Sequence, residues 1–134
     1  MTSGAVIEPY EVYRRLDTLG YSVEPEDEYT VTYLIEGVSN KIKLNTNNTE
    51  VPKELLQMAI DKVCGEFLAT KYALGQLKGF DFSGTIKRIT EGDTTVEYAY
   101  GSGDKTAEQR FVDMIDKMRR LDKDMLAAVR CLRW

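Results

Sequence analysis

From Val51-Pro52 onward, apolar residues recur at Leu55, Met58, Ala59, Val63, Phe67 and Ala73, with Leu56, Ile60, Leu68 and Tyr72 beside them. That recurrence follows the 3.6-residue turn of an α-helix, and Pro52 suits a first turn, where the missing N–H costs nothing. A stripe this broad predicts burial on more than one side, so the segment is expected to be the central helix of a bundle. Gly65 would let another backbone come close, and Gly75 or Gly79 would end the helix.

Neighbouring segments carry the same signature. Pro9 to Leu19 reads as a helix with Tyr10, Tyr13 and Leu16 on one face and Gly20 as its stop. A second helix is expected over about 26–43, with Val31, Leu34, Ile35, Val38 and Ile42 at helical spacing and the acids Glu26, Asp27 and Glu28 at its positive N-terminal end. Asn45-Thr-Asn-Asn-Thr49 reads as a polar connection. Later, Gly101-Ser-Gly-Asp-Lys105 reads as a flexible link before Thr106-Ala-Glu-Gln109, a capping box in which Thr106 and Gln109 satisfy opposite sides of a first helical turn. Phe111, Met114, Ile115 and Met118 follow, then Leu121, Met125, Val129 and Leu132, so a C-terminal helical segment is expected over about 107–133, either running through or bending near Leu121-Asp122. At 134 residues, one domain accommodates all of this.

One stretch stands apart. Phe82-Ser-Gly-Thr-Ile-Lys-Arg-Ile-Thr-Glu-Gly-Asp-Thr-Thr-Val-Glu-Tyr98 is rich in β-branched residues and turns at Glu91-Gly92-Asp93, which predicts a β-hairpin over about 80–100. The expected fold is therefore mainly α, a small bundle of four to five helices with one inserted β-hairpin. An isolated hairpin is barely stable in water, so this one is expected to pack on a partner.

Composition narrows the function classes. The chain has no histidine, which removes the commonest general base and metal ligand, and its two cysteines, Cys64 and Cys131, lack CxxC spacing. Both are expected to be buried, reduced thiols, with a disulfide as the alternative. The Glu26/Asp27/Glu28 cluster fits no calcium loop and reads as a helix-start charge cluster. Gly101-Ser-Gly103 lacks a phosphate-loop lysine and reads as a hinge. Neither a signal peptide nor a bilayer-spanning run is recognisable, which predicts a cytosolic, unprocessed protein without membrane contact.

Charge is polarised along the sequence. Residues 1–50 hold nine acidic and four basic side chains, a balance of −5, whereas 117–134 hold six basic (Lys117, Arg119, Arg120, Lys123, Arg130, Arg133) against Asp122 and Asp124, a balance of +4. Such polarity suits head-to-tail assembly or a partner with an acidic face, and solvated faces are the bland alternative. The basic segment could also neutralise phosphates, although a pI near 5.0 disfavours a dedicated DNA reader.

The element order is more specific: acidic N-terminal helices, then Val51-Pro-Lys-Glu-Leu-Leu continuing as Val63-Cys-Gly-Glu-Phe-Leu68, then Gly84-Thr-Ile-Lys-Arg-Ile-Thr-Glu-Gly-Asp-Thr-Thr-Val96, then Thr106-Ala-Glu-Gln-Arg110 and a Leu132-Arg-Trp134 ending. This resembles the head–tail connector proteins of tailed bacteriophages and prophages, over roughly residues 50–134. The resemblance implies a structural virion protein, not an enzyme and without cofactor. It would be one subunit of a homo-oligomeric ring that joins the portal to tail-completion or tail-tube proteins, or a collar on a phage-tail-like particle, assembled in the bacterial cytoplasm and in passive contact with passing DNA.

On that reading the contact residues are Ile86, Lys87, Arg88, Glu91, Gly92, Asp93, Val96 and Tyr98 of the hairpin and Arg119, Arg120, Arg130, Leu132, Arg133 and Trp134 of the tail. The alternative is a small regulatory or DNA-binding protein that uses its basic C-terminal helix.

Overall fold

The computed structural model describes residues 4–77, 79–92 and 106–131, with the backbone alone over 88–92. Helix α1 (Pro9–Thr18) begins on the expected proline, and α2 (Glu28–Thr46) follows a single 3-10 turn at Pro25–Asp27. Helix α3 (Leu56–Ala73) is followed by α4 (Phe82–Gly92), α5 (Ala107–Met118) and the six-residue α6 (Lys123–Ala128). The protein is thus a helical bundle with, among the described residues, one two-stranded antiparallel pair, β1 (Gly4–Ala5) on β2 (Val51–Pro52), in the register Gly4 to Pro52 and Ala5 to Val51.

Helix α3 is central, as its broad apolar stripe requires. It packs on α1, α2 and α5, and its Ala59, Val63, Cys64, Phe67 and Leu68 are fully buried. They meet Val12 and Leu16 of α1, Val31, Val38 and Ile42 of α2, and Phe111, Met114 and Ile115 of α5. A leucine or phenylalanine so buried contributes roughly 1.5–3 kcal/mol by leaving water. Gly65 does allow a close approach: a Cβ there would lie 3.2 Å from the Arg119 backbone nitrogen at the end of α5. Gly75 ends α3 with φ +70°, and the next amide, Gln76 N–H, reaches back to the Lys71 carbonyl at 2.9 Å.

The antiparallel pair does not lie where the β-branched run predicts it. Residues 82–92, the expected first strand and turn of the hairpin, are helical. Asp81 starts this helix: its carboxylate accepts from Gly84 N–H at 2.9 Å and its carbonyl from Thr85 N–H at 3.1 Å. Thr85 is fully buried and donates from its hydroxyl to the Leu19 carbonyl at 2.7 Å, so its branched side chain serves a tertiary bond. Phe82 then packs edge-on against Phe111 at 5.0 Å and Phe80 at 5.2 Å between ring centroids. Tertiary packing outweighs the β-propensity of Thr85, Ile86 and Ile89. The remainder of the expected hairpin, 93–98, lies outside the described residues.

The C-terminal segment takes the bent form, with its break over 119–122, at the expected place. It breaks after Met118, and Asp122 caps α6 by accepting from Asp124 and Met125 N–H groups at 2.9 and 3.3 Å. Helix α2 extends three residues further than the expected end at 43 and stops where Asn47 takes the left-handed conformation, φ 54° and ψ 40°.

Candidate interaction surface

Among the described residues, the nominated contacts fall on α4, just after α5 and just after α6. Ile86 is half-buried against the core and Lys87 is exposed on α4, while Arg88, Glu91 and Gly92 belong to the same helix by backbone. Asp93, Val96, Tyr98, Leu132, Arg133 and Trp134 lie outside the described residues. Arg120 and Arg130 are exposed. Arg119 is engaged internally: its Nε donates to Glu66 at 3.1 Å, and its Nη1 is 3.8 Å from Asp116. The same Glu66 oxygen receives Lys62 Nζ at 3.3 Å. Burial tends to raise the Glu66 pKa, but the hydrogen bond from Arg119 and the charge of Lys62 outweigh it and hold the carboxyl below its ordinary value.

The basic end of the chain is fastened to α2. Cys131 N–H donates to the Thr46 carbonyl at 2.7 Å, Asn47 Nδ2 donates to the Cys131 carbonyl at 2.9 Å, and Asn48 Nδ2 donates to the Val129 carbonyl at 3.0 Å. Arg130 therefore sits at the C-terminal end of α2, the end that also carries Lys41 and Lys43. At the opposite end, Glu24, Glu26 and Glu28 are all exposed. Sequence polarity has become spatial polarity, acidic at one end of α2 and basic at the other.

A helix of this length separates those ends by about 28 Å. Helix α2 also presents an apolar outer face, with Tyr29 81% exposed, Tyr33 65% and Leu44 83%. Gly37 lies in the same stripe, and a Cβ placed on it would meet no atom within 4 Å. A groove of about 460 Å³ runs alongside, between α2 and α3, with Tyr33, Gly37, Lys41, Lys62 and Glu66 on its walls. The sequence reading passed over this face because it followed the inward stripe of Val31, Val38 and Ile42. The outward spacing of Tyr29, Tyr33, Gly37 and Leu44 carries a signal of its own.

Two further polar arrangements are structural in character. Tyr21 hydroxyl and Glu24 N–H both donate to Asp27 Oδ2, at 2.7 and 3.0 Å, and Lys71 Nζ lies 2.8 Å from Asp27 Oδ1. Lys71 also sits 5.6 Å from the centre of the Phe67 ring. Between α1 and α3 an open groove of about 710 Å³ is walled by Glu11, Arg14, Arg15 and Asp61, with Arg15 Nε and Asp61 Oδ1 paired at 2.9 Å.

Cys64 is buried, and that burial, with Asp61 nearby, pushes its thiol up to about 12, far from the range of an activated nucleophile. Among the described residues no group of acidic or cysteine side chains converges as a metal site. No described helix is long and apolar enough to cross a membrane. The chain matches no family model, no curated protein and no solved structure.

Proposed function

We propose that this chain is a structural subunit of a homo-oligomeric ring that joins the portal of a phage head to its tail, or forms the collar of a phage-tail-like particle. The observation that carries the reading is the polarity of α2: exposed Glu24, Glu26 and Glu28 at one end, and Lys41 with the fastened Arg130 at the other. Opposite charges at the two ends of a rigid body favour a head-to-tail contact, and such a contact repeated with rotation closes a ring. The resemblance of the sequence over roughly residues 50–134 to head–tail connectors supplies the particular ring. The contact does not draw on a β-hairpin, because residues 82–92 form α4.

DNA binding by the basic segment is the weaker reading, since Arg119 is held by Glu66 and Asp116. Electron microscopy of the concentrated protein, alone and mixed with portal or tail proteins from the same genome, tests the proposal. Rings or a collar are expected. A protein that stays monomeric and never joins portal or tail overturns it, and retention on DNA that weakens steeply with salt would favour the alternative.

A further inference from the structure

We infer that the outer face of α2 is a two-fold contact with the antiparallel α2 of a second copy of this chain, centred on Gly37. This contact is centred on the middle of α2 and shares only Glu28 and Lys41 with the helix ends that the ring reading uses, and the inference stands without that reading.

Three independent properties of α2 point to it. The first is apolar exposure confined to one stripe, with Tyr29, Tyr33 and Leu44 each well over half exposed. The second is Gly37 itself. A glycine inside a helix costs about 1 kcal/mol relative to alanine, and nothing among the described residues requires it, because a Cβ there would meet none of their atoms within 4 Å. The absence of a side chain has a use only if something outside the subunit comes close, and a second helix backbone is the body that needs such an opening.

The third property selects the occupant. The charges of α2 are segregated about Gly37, with Glu28 and Glu36 before it and Lys41 and Lys43 after it. Among the described residues neither Glu36 nor Lys41 has an ion-pair partner. Antiparallel pairing across Gly37 sets each acidic half against the basic half of the other copy and opposes the two helix dipoles.

The register follows from the symmetry. Tyr33 faces Lys41 of the second copy, a cation against an aromatic ring. Glu36 faces residue 38 of the second copy and so lies about 4.5 Å along the axis from its Lys41, within reach of a long side chain. Tyr29 falls beside Leu44 of the second copy at each end of the contact. A partner of different sequence would have to reproduce this order of charges in reverse, whereas a second copy supplies it by the two-fold axis alone. Combined with a head-to-tail ring, such an axis would stack two rings back to back.

The test uses the full chain and sedimentation across a wide concentration range. Wild type is expected to show a monomer–dimer equilibrium, and Gly37→Leu to weaken it roughly tenfold or more, as expected for blocking the centre of a packed contact. At concentrations where wild type is monomeric, the variant's melting temperature should not fall, since the site is open and leucine favours helix. Glu36→Lys should also weaken the dimer, and Glu36→Lys with Lys41→Glu should restore it.

In a Cys131→Ser background, Gly37→Cys should form a disulfide-linked dimer on mild oxidation, because the same position meets itself only at a two-fold axis. A wild type that is monomeric throughout overturns the inference. So does a dimer indifferent to Gly37→Leu, or one in which Gly37→Cys fails to link.

Discussion

Lys62, buried within α3, donates from Nζ to the carbonyl of Arg119 at 2.6 Å. That carbonyl closes α5, where the last groups of a helix lack intrahelical partners, so a cation from one helix caps the end of another. Glu66 completes the arrangement by holding both Lys62 and Arg119 through one oxygen. The sequence marks Arg119 as a free contact residue, yet the structure uses it to hold α5 on α3.

Replacing Lys62 with Met keeps the length and apolar stem of the side chain but removes the donor. The expected loss is about 2 kcal/mol, typical of a buried hydrogen bond from a charged group. Urea denaturation of Lys62→Met beside the exposed Lys53→Met measures it. Equal midpoints for the two variants would show that the cap contributes nothing.

Acid should weaken the clamp at Asp27. Burial tends to raise this carboxyl's pKa, but the bonds from Lys71, Glu24 N–H and Tyr21 prevail and hold it below its ordinary value of 3.8. A carboxyl depressed in the folded state adds stability that is present above the unfolded pKa and disappears as pH falls through the folded one. Asp27→Asn should therefore cost about 2 kcal/mol at neutral pH, with the gap from wild type closing below the ordinary carboxyl range. Urea titrations from neutral to strongly acid conditions check this, and a gap that stayed constant would refute the assignment.

Thr85→Val keeps the shape of the side chain and deletes the hydroxyl that reaches Leu19. The loss should be about 1 kcal/mol, without change in helical circular dichroism. If residues 82–92 were a strand on a partner, as their composition alone predicts, this substitution would leave the isolated protein's stability unaltered.

The two thiols should react very differently with an aromatic disulfide reagent under native conditions. Cys131 is partly accessible, whereas Cys64 is buried beside the Val12 carbonyl and its thiol resists ionisation. One fast equivalent is expected, with the second appearing only as the protein unfolds. Two fast equivalents would mean that the α1–α3 contact opens readily.

Much of the fold was legible because its signals are local. Thr106 and Gln109 form the reciprocal cap expected of them, each accepting from the other's backbone N–H at 3.1 Å. The periodicity of α3 located the core, and Gly65 marked the close approach of α5. Helix α4 was misread because propensity was given more weight than spacing. Phe82, Ile86 and Ile89 recur at helical intervals behind a capping Asp81, and the decisive bond from Thr85 to Leu19 joins residues 66 apart, which no local window contains. The outer face of α2 was missed for a related reason, since an apolar stripe found on one side hid a second on the other. Lys62 offered only its local spacing from Glu66, because its bond to the Arg119 carbonyl joins residues 57 apart.

Asn47 is the one described residue other than glycine with a positive φ, and it also holds the Cys131 carbonyl through Nδ2. These two demands restrict which amino acids the position can drift to. Glycine would relieve the backbone but release the latch, and aspartate would tolerate the backbone yet has no hydrogen to donate. Serine and threonine are too short and ill-suited to the conformation. Any descendant of this chain that keeps the segment after α6 against α2 is therefore expected either to keep asparagine here or to have rebuilt the joint elsewhere.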